Sequence, residues 1–149
     1  MHIDPRNSEA TLTLGEAWFD QGQFRQAVQM FQKAIYLYPA LEPILVHRIA
    51  LAFHYSSRLR EAAATFEIAM VYAEYASNPS IYFDFGVTLQ HQGKILDANE
   101  KYNRAIALRR DFPEAWLNIA SLHHRHGDIT MAIPNYHVCY LTFAHPYDP

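Results

Sequence analysis

Four alanines, Ala27, Ala62, Ala98 and Ala132, stand 35, 36 and 34 residues apart, each inside the same order of large and small residues. Around the first, Leu14-Gly15, Trp18, Gly22, Phe24, Ala27, Phe31, Ala34 and Pro39 recur at helical spacing, with a break near Gly22. Such a pattern predicts two short amphipathic helices folded into a hairpin. Each small residue marks a place where two helices approach closely, and each aromatic fills the space beside it. One accidental match would be weak evidence. Four in phase make the chain a tandem array.

The later units vary the theme. The second begins at Pro43, a good first-turn residue because its missing N–H would lack a partner anyway. It continues with Ile49-Ala50, Phe53, Leu59, Ala62, Phe66 and Ala69. Ser57 replaces the turn glycine, and Glu74 stands where a closing proline would be, so its second helix is expected to run on through Val71-Tyr72 towards Asn78. The third opens on Asn78-Pro79 and gives Tyr82, Phe85-Gly86, Leu89, Gly93, Ile95, Ala98, Tyr102 and Ala105. The fourth opens at Pro113 and gives Trp116, Ile119-Ala120, His123, Gly127, Ile129, Ala132, Tyr136 and Cys139. Pro134 lies several residues into its second helix and predicts a kink or a late start.

This order of residues, closing on proline, resembles the tetratricopeptide repeat family, in which 34-residue helix pairs stack side by side. The resemblance covers about residues 8–146, as repeats at about 8–41, 43–76, 79–112 and 113–146, with residues 1–7 a tail and 147–149 a C-terminal end. It implies an all-α, right-handed superhelical solenoid of about eight helices, the first helix of each repeat lining the inner surface. Arrays of this family usually finish with a polar-faced capping helix. None is expected here, which leaves Val138, Tyr140, Leu141 and Phe143 partly uncovered. A piece of a longer array is the favoured explanation, and pairing with another copy is the other.

Composition removes several classes of function. Half of the 149 residues are hydrophobic and 18% are charged, so disorder is not expected. The formal charge of −3, with only three lysines (Lys33, Lys94, Lys101) and scattered arginines, argues against nucleic acid. Cys139 is the only cysteine, which rules out an internal disulfide and makes a cysteine-based zinc site improbable. No apolar run approaches a membrane span, and the N-terminus lacks a secretory pattern. A cytoplasmic or other reducing intracellular compartment is the simplest fit.

The family resemblance also implies where a partner binds, since its groove is lined by first-helix positions not used in packing. Those positions are Glu9, Leu12, Glu16, Phe19 and Asp20 in the first repeat, and Ile44, His47, Arg48, Leu51, His54 and Tyr55 in the second. The third offers Ser80, Phe83, Asp84, Val87, Gln90 and His91, and the fourth Glu114, Leu117, Asn118, Ser121, His124 and Arg125. Phe19, Tyr55 and Phe83 are expected anchors, because exposed aromatics dominate interfaces. Glu9, Glu16 and Asp20 form an acidic group suited to a basic partner segment; a merely solvated face explains them equally well.

Two specialised uses of the family fit poorly. Modules gripping a chaperone's C-terminal carboxylate use lysine, asparagine and arginine where this chain has Leu12, Glu16, Arg48, Ser80 and Asp84. Repeats of the sugar-transferring enzymes carry an asparagine ladder; here Thr13, Arg48, Asp84 and Asn118 match it only once.

Nine histidines are many, and His123-His124-Arg125-His126 is the obvious cluster. Neighbouring helical residues point about 100° apart, so His123 and His124 cannot share an ion easily. His123 with His126 has no carboxylate or cysteine at matching spacing, and a metal is not expected. His47, His54, His91 and His124 form a row suited to a pH-sensitive contact, since protonating all nine moves the charge from −3 to +6. No phosphate loop, nucleophile elbow or paired carboxylate is recognisable, and Cys139 occupies a small-residue packing position, so no cofactor and no catalysis are expected. The first reading is a non-catalytic scaffold that holds a peptide or helix of a protein partner in its groove. The others are a recruiting segment of a larger multidomain protein or enzyme, such as a glycosyltransferase, and a self-associating module forming a homodimer through its last repeat.

Overall fold

The computed structural model describes residues 5–144, and the side chains of 7–144 apart from Ala73. The ends read as 1–4 of the tail and 145–149 of the last repeat and C-terminal end lie outside the described residues. Within them the chain is all-helical: α1 (Pro5–Asp20), α2 (Phe24–Leu37), α3 (Glu42–Tyr55), α4 (Leu59–Ala69), α5 (Ala73–Ala76), α6 (Pro79–His91), α7 (Ile95–Leu108), α8 (Pro113–Arg125) and α9 (Ile129–Ala144). A single 3-10 turn, Pro39–Leu41, links α2 to α3. α1 packs on α2, α3 on α4, α6 on α7 and α8 on α9, so the helices form hairpins in chain order.

The chain divides into two compact units, 1–76 and 77–149. In the first, Ala27, Phe31 and Ala34 of α2 meet Leu45, Ile49, Ala52 and Phe53 of α3 and Ala62 of α4, all buried. The second unit repeats the scheme, with Tyr102 and Ala105 of α7 and Ala115, Ile119 and Ala120 of α8 buried. The four in-phase alanines are at most 2% exposed, which explains their spacing: each is the buried small residue in the second helix of its hairpin.

The hairpin turns share one hydrogen-bond pattern. The amides of Gln23, Arg58, Lys94 and Asp128 reach back five residues to the carbonyls of Trp18, Phe53, Leu89 and His123, at 2.8–2.9 Å. That closure needs a left-handed residue just before it. Gly22, Gly93 and Gly127 supply it at φ of 75°, 76° and 77°, and Ser57 supplies it at φ 62°. An L side chain in this region costs about 1 kcal/mol. Ser57→Gly is therefore expected to stabilise the chain by about 0.5–1 kcal/mol, read as a higher midpoint in urea with an unchanged slope.

Local signals account for the other ends. Pro39 stops α2, with Tyr38 before it forced into an extended conformation (φ −145°, ψ 90°). Asn78 caps α6 by accepting the Ser80 amide at 3.0 Å, with Pro79 following.

Three expectations are corrected. α1 starts at Pro5, three residues inside the stretch read as a tail, because proline is at home in a first helical turn. α4 does not run on through Val71-Tyr72. It ends at Ala69, and the short α5 follows, because Tyr75 turns back onto α3: its ring is buried, packs 5.9 Å from His47 and donates its hydroxyl to the Ile44 carbonyl at 3.2 Å. Of the kink or late start expected from Pro134, the late start does not occur in α9. The helix begins at Ile129 and carries Pro134 inside it. Pro134 has no amide to give the Thr130 carbonyl one turn earlier, and that turn is exposed, where water can serve it.

Candidate functional site

The expected groove residues fall into two groups, one in each unit. In the first unit they come from α1 and α3. Arg48 is the centre: its Nε donates to Glu16 Oε1 at 3.2 Å, its Nη2 to Glu16 Oε2, and its guanidinium lies 4.3 Å over the Phe19 ring. The pair is about one-third exposed on both sides, so it is partly shielded from solvent without being buried. Glu16 therefore does not act with Glu9 and Asp20 as one open acidic group. Its charge is matched within the chain, across 32 residues of sequence, while Glu9 and Asp20 remain exposed.

Beside this pair runs an aromatic cluster. Phe19 is half-buried, edge-on to Phe24 at 5.4 Å and near Phe31 at 6.5 Å. Tyr55 touches it at 6.1 Å, and lies tilted 5.4 Å from Phe24. Leu12 and Phe19 pack against the core, and Leu51 is half-buried. Of the expected aromatic anchors, Tyr55 alone is mainly open to solvent, at 55%. His54 stands 5.4 Å from the Tyr55 ring, and His47 packs between Phe66 at 6.0 Å and Tyr75. Ile44 is exposed at the start of α3.

In the second unit Phe83 packs inward, 5.0 Å from Phe112 and 5.8 Å from Tyr102, and Arg109 lies 3.9 Å over Phe112. Gln90 and Asn118, from α6 and α8, meet at one hydroxyl. Tyr102 donates to Gln90 Oε1 at 2.6 Å. Burial pushes the Tyr102 phenol up to about 12, and its hydrogen bond with Asn118 pulls the other way. Asp84 accepts the Thr88 hydroxyl through its carbonyl at 3.0 Å. Ser80, Val87 and Ser121 are half-buried, Leu117 is 43% exposed, and Glu114, His91 and Arg125 are exposed. His124 Nδ1 lies 3.4 Å from the Tyr136 hydroxyl. Thus His47 and His54 stand in one unit, and His91 and His124 in the other.

The histidine cluster has a carboxylate that the spacing argument overlooked. Asp128 Oδ2 lies 3.6 Å from His123 Nδ1. Its other oxygen accepts the Thr130 hydroxyl at 2.8 Å and the Met131 amide at 3.2 Å, and these bonds hold the Asp128 carboxyl below its usual range. Both are end-of-helix bonds, so this residue serves α9 first. Among the described residues no group of three or more His, Cys, Asp or Glu converges as a metal would require. Cys139 is buried, and burial pushes its thiol up, away from the reactive thiolate.

Short helix hairpins repeated in tandem, each closed by the same turn and each burying a small residue at the crossing, define a helix-hairpin repeat protein. A model described as "Tetratricopeptide repeat" matches residues 9–40, and one described as "TPR repeat" matches residues 91–127. Those two stretches are thus tetratricopeptide repeats, and the fold is of the all-α class expected. A crystal structure of MamA shares 19% identity at a TM-score of 0.86, covering 96% of this chain and 82% of that one. MamA from Desulfovibrio magneticus RS-1, residues 41 to its end, gives 16% and 0.85, covering 95% and 78%. A tetratricopeptide repeat protein from Parabacteroides merdae ATCC 43184 gives 17% and 0.80, covering 89% and 52%. These likenesses are of fold. No curated protein matches the chain significantly. The repeat family supports a protein-binding role. Among the described residues no helix is long and apolar enough to cross a membrane.

Proposed function

We infer that this chain is a non-catalytic interaction module that binds a peptide or helix of a partner protein on the outward faces of its first helices. One observation carries this reading. Tyr55 is 55% exposed, yet its ring is braced by Phe19 and Phe24, so it offers a large apolar surface that has already lost its side-chain freedom. Anchors of that kind concentrate binding energy, because little entropy is left to lose on contact. Arg48, Leu12 and Leu51, all part-exposed, are the first-helix positions that would act with it in the first unit; Val87, Leu117, Asn118 and Ser121 are those of the second. Cytoplasmic residence belongs to the same reading, supported by the single buried thiol of Cys139.

The test is selection from a displayed peptide library, followed by titration of the enriched peptides. Tyr55→Ala is expected to weaken them at least 10-fold, and Leu117→Asp to weaken those selected on the second unit. Leu96→Asp, on an 85% exposed residue of α7, should leave affinity unchanged. Peptides that bind the Tyr55→Ala variant as tightly as the parent would overturn the reading.

A further inference from the structure

Equivalent positions of the repeats differ sharply in exposure, and they do so at the two terminal helices. Leu14 of α1 occupies the place of Ile49 in α3 and Ile119 in α8. Ile49 and Ile119 are 7% and 3% exposed, and Leu14 is 45% exposed. Ala10 and Ala17 are exposed too, whereas their counterparts Leu45 and Ala52 in α3, and Ala115 and Leu122 in α8, are buried. In α3 and α8 these positions are covered by the second helix of the preceding repeat, since α2 packs on α3 and α7 on α8. On α1 they form an open, shallow depression lined by Glu9, Ala10, Thr13, Leu14 and Ala17.

The complementary asymmetry lies on α9. Tyr140 takes the place of Ile35 in α2 and Ile106 in α7, which are half-buried against the cores of their units. Ile133 takes the place of Val28, which is 6% exposed. On α9, Tyr140 is 68% and Ile133 62% exposed, with Phe143 alongside at 59%. The helix contains no Asp, Glu, Lys or Arg, so nothing on it resists burial.

We propose that these are the two halves of one interface: the α9 face of one copy docks on the α1 face of a second copy, in the register by which α2 packs on α3 and α7 on α8. The occupant is a second copy because each face lacks the type of surface that the other presents, and the chain makes that pairing twice within itself. The contact is heterologous. It therefore leaves an unused α1 face on one copy and an unused α9 face on the other, so that further copies can add, unlike the homodimer expected from the last repeat. Groove binding and end stacking use different faces, so failure of either leaves the other standing.

The experiment is light scattering on the 149-residue chain over a wide concentration range, with Leu14→Glu and Tyr140→Glu made separately. The parent's average mass should rise beyond twice 17.2 kDa. Each variant alone should stay at monomer mass. An equimolar mixture should double in mass and stop there, because each variant keeps the face that the other has lost. Leu96→Glu should assemble like the parent. Ala10→Glu with Ile133→Glu repeats the test on the same faces, and circular dichroism confirms that each variant is folded. A parent that is monomeric throughout, a Leu14→Glu variant that still pairs, a mixture that stays monomeric, or loss of assembly in Leu96→Glu would each overturn the proposal.

Discussion

Phe31→Ala is expected to cost about 3–5 kcal/mol, enough to remove a large share of the stability of a domain this size. The ring is 0% exposed and lies in the cluster where α2 meets α3 and α4. Two residues of α1 contribute to its walls: Phe19 lies 6.5 Å away, and Gly15 is so close that a Cβ there would lie 2.7 Å from Phe31 Cε1. Truncation leaves a cavity that the backbone cannot collapse into, since the surrounding small residues, Ala27, Ala34 and Ala52, have no side chain to swing inwards. Thermal unfolding followed by circular dichroism should show a midpoint lowered by roughly 10 °C. A drop of only a degree or two would mean that α1 and α2 move together to fill the space.

Gly86→Ala should also destabilise, although alanine is the better helix former by about 1 kcal/mol. A Cβ at this position would lie 2.6 Å from Cε1 and 2.8 Å from Cδ1 of Tyr102. Tyr102 cannot give way cheaply. Its ring is fully buried, and its hydroxyl is held by Gln90. Overpacking of this kind costs about 1–3 kcal/mol, which outweighs the helical gain. The decisive comparison is the same substitution in a Tyr102→Leu background. With the ring gone, Gly86→Ala should change sign and stabilise. A Gly86→Ala effect that is equally unfavourable in both backgrounds would show that the ring is not its cause.

These two glycines show why so much of the fold could be read from the chain. A helix crossing imposes a small residue at one point and a large one beside it, and the pairs Gly15 with Phe31 and Gly86 with Tyr102 put that requirement directly into the residue order. The turns behave alike, because the left-handed position is a local demand met by Gly22, Gly93 and Gly127. Even Ser57 could be placed by phase alone. Features that depend on distant partners were not legible. The break after Ala69 depends on a bond from Tyr75 to a carbonyl of α3. Pro134 suggested a kink or a late start for α9, and Asp128, which accepts two bonds at the head of that helix, excludes the late start. In the candidate site, family position located Tyr55 and Leu117 on first helices. It could not show that Phe19 and Phe83 pack largely inward, nor that Glu16 and Arg48 belong to each other.

That last pairing changes what Arg48 can offer a ligand. A guanidinium bare to solvent recruits any passing acid, whereas this one already has a resident carboxylate bound through two donors. An acidic group arriving from outside must trade places with Glu16, and gains only the difference between the two bonds. Glu16 is thus an internal decoy, and it biases the surface around Tyr55 towards ligands recognised by shape and apolar contact over those recognised by charge.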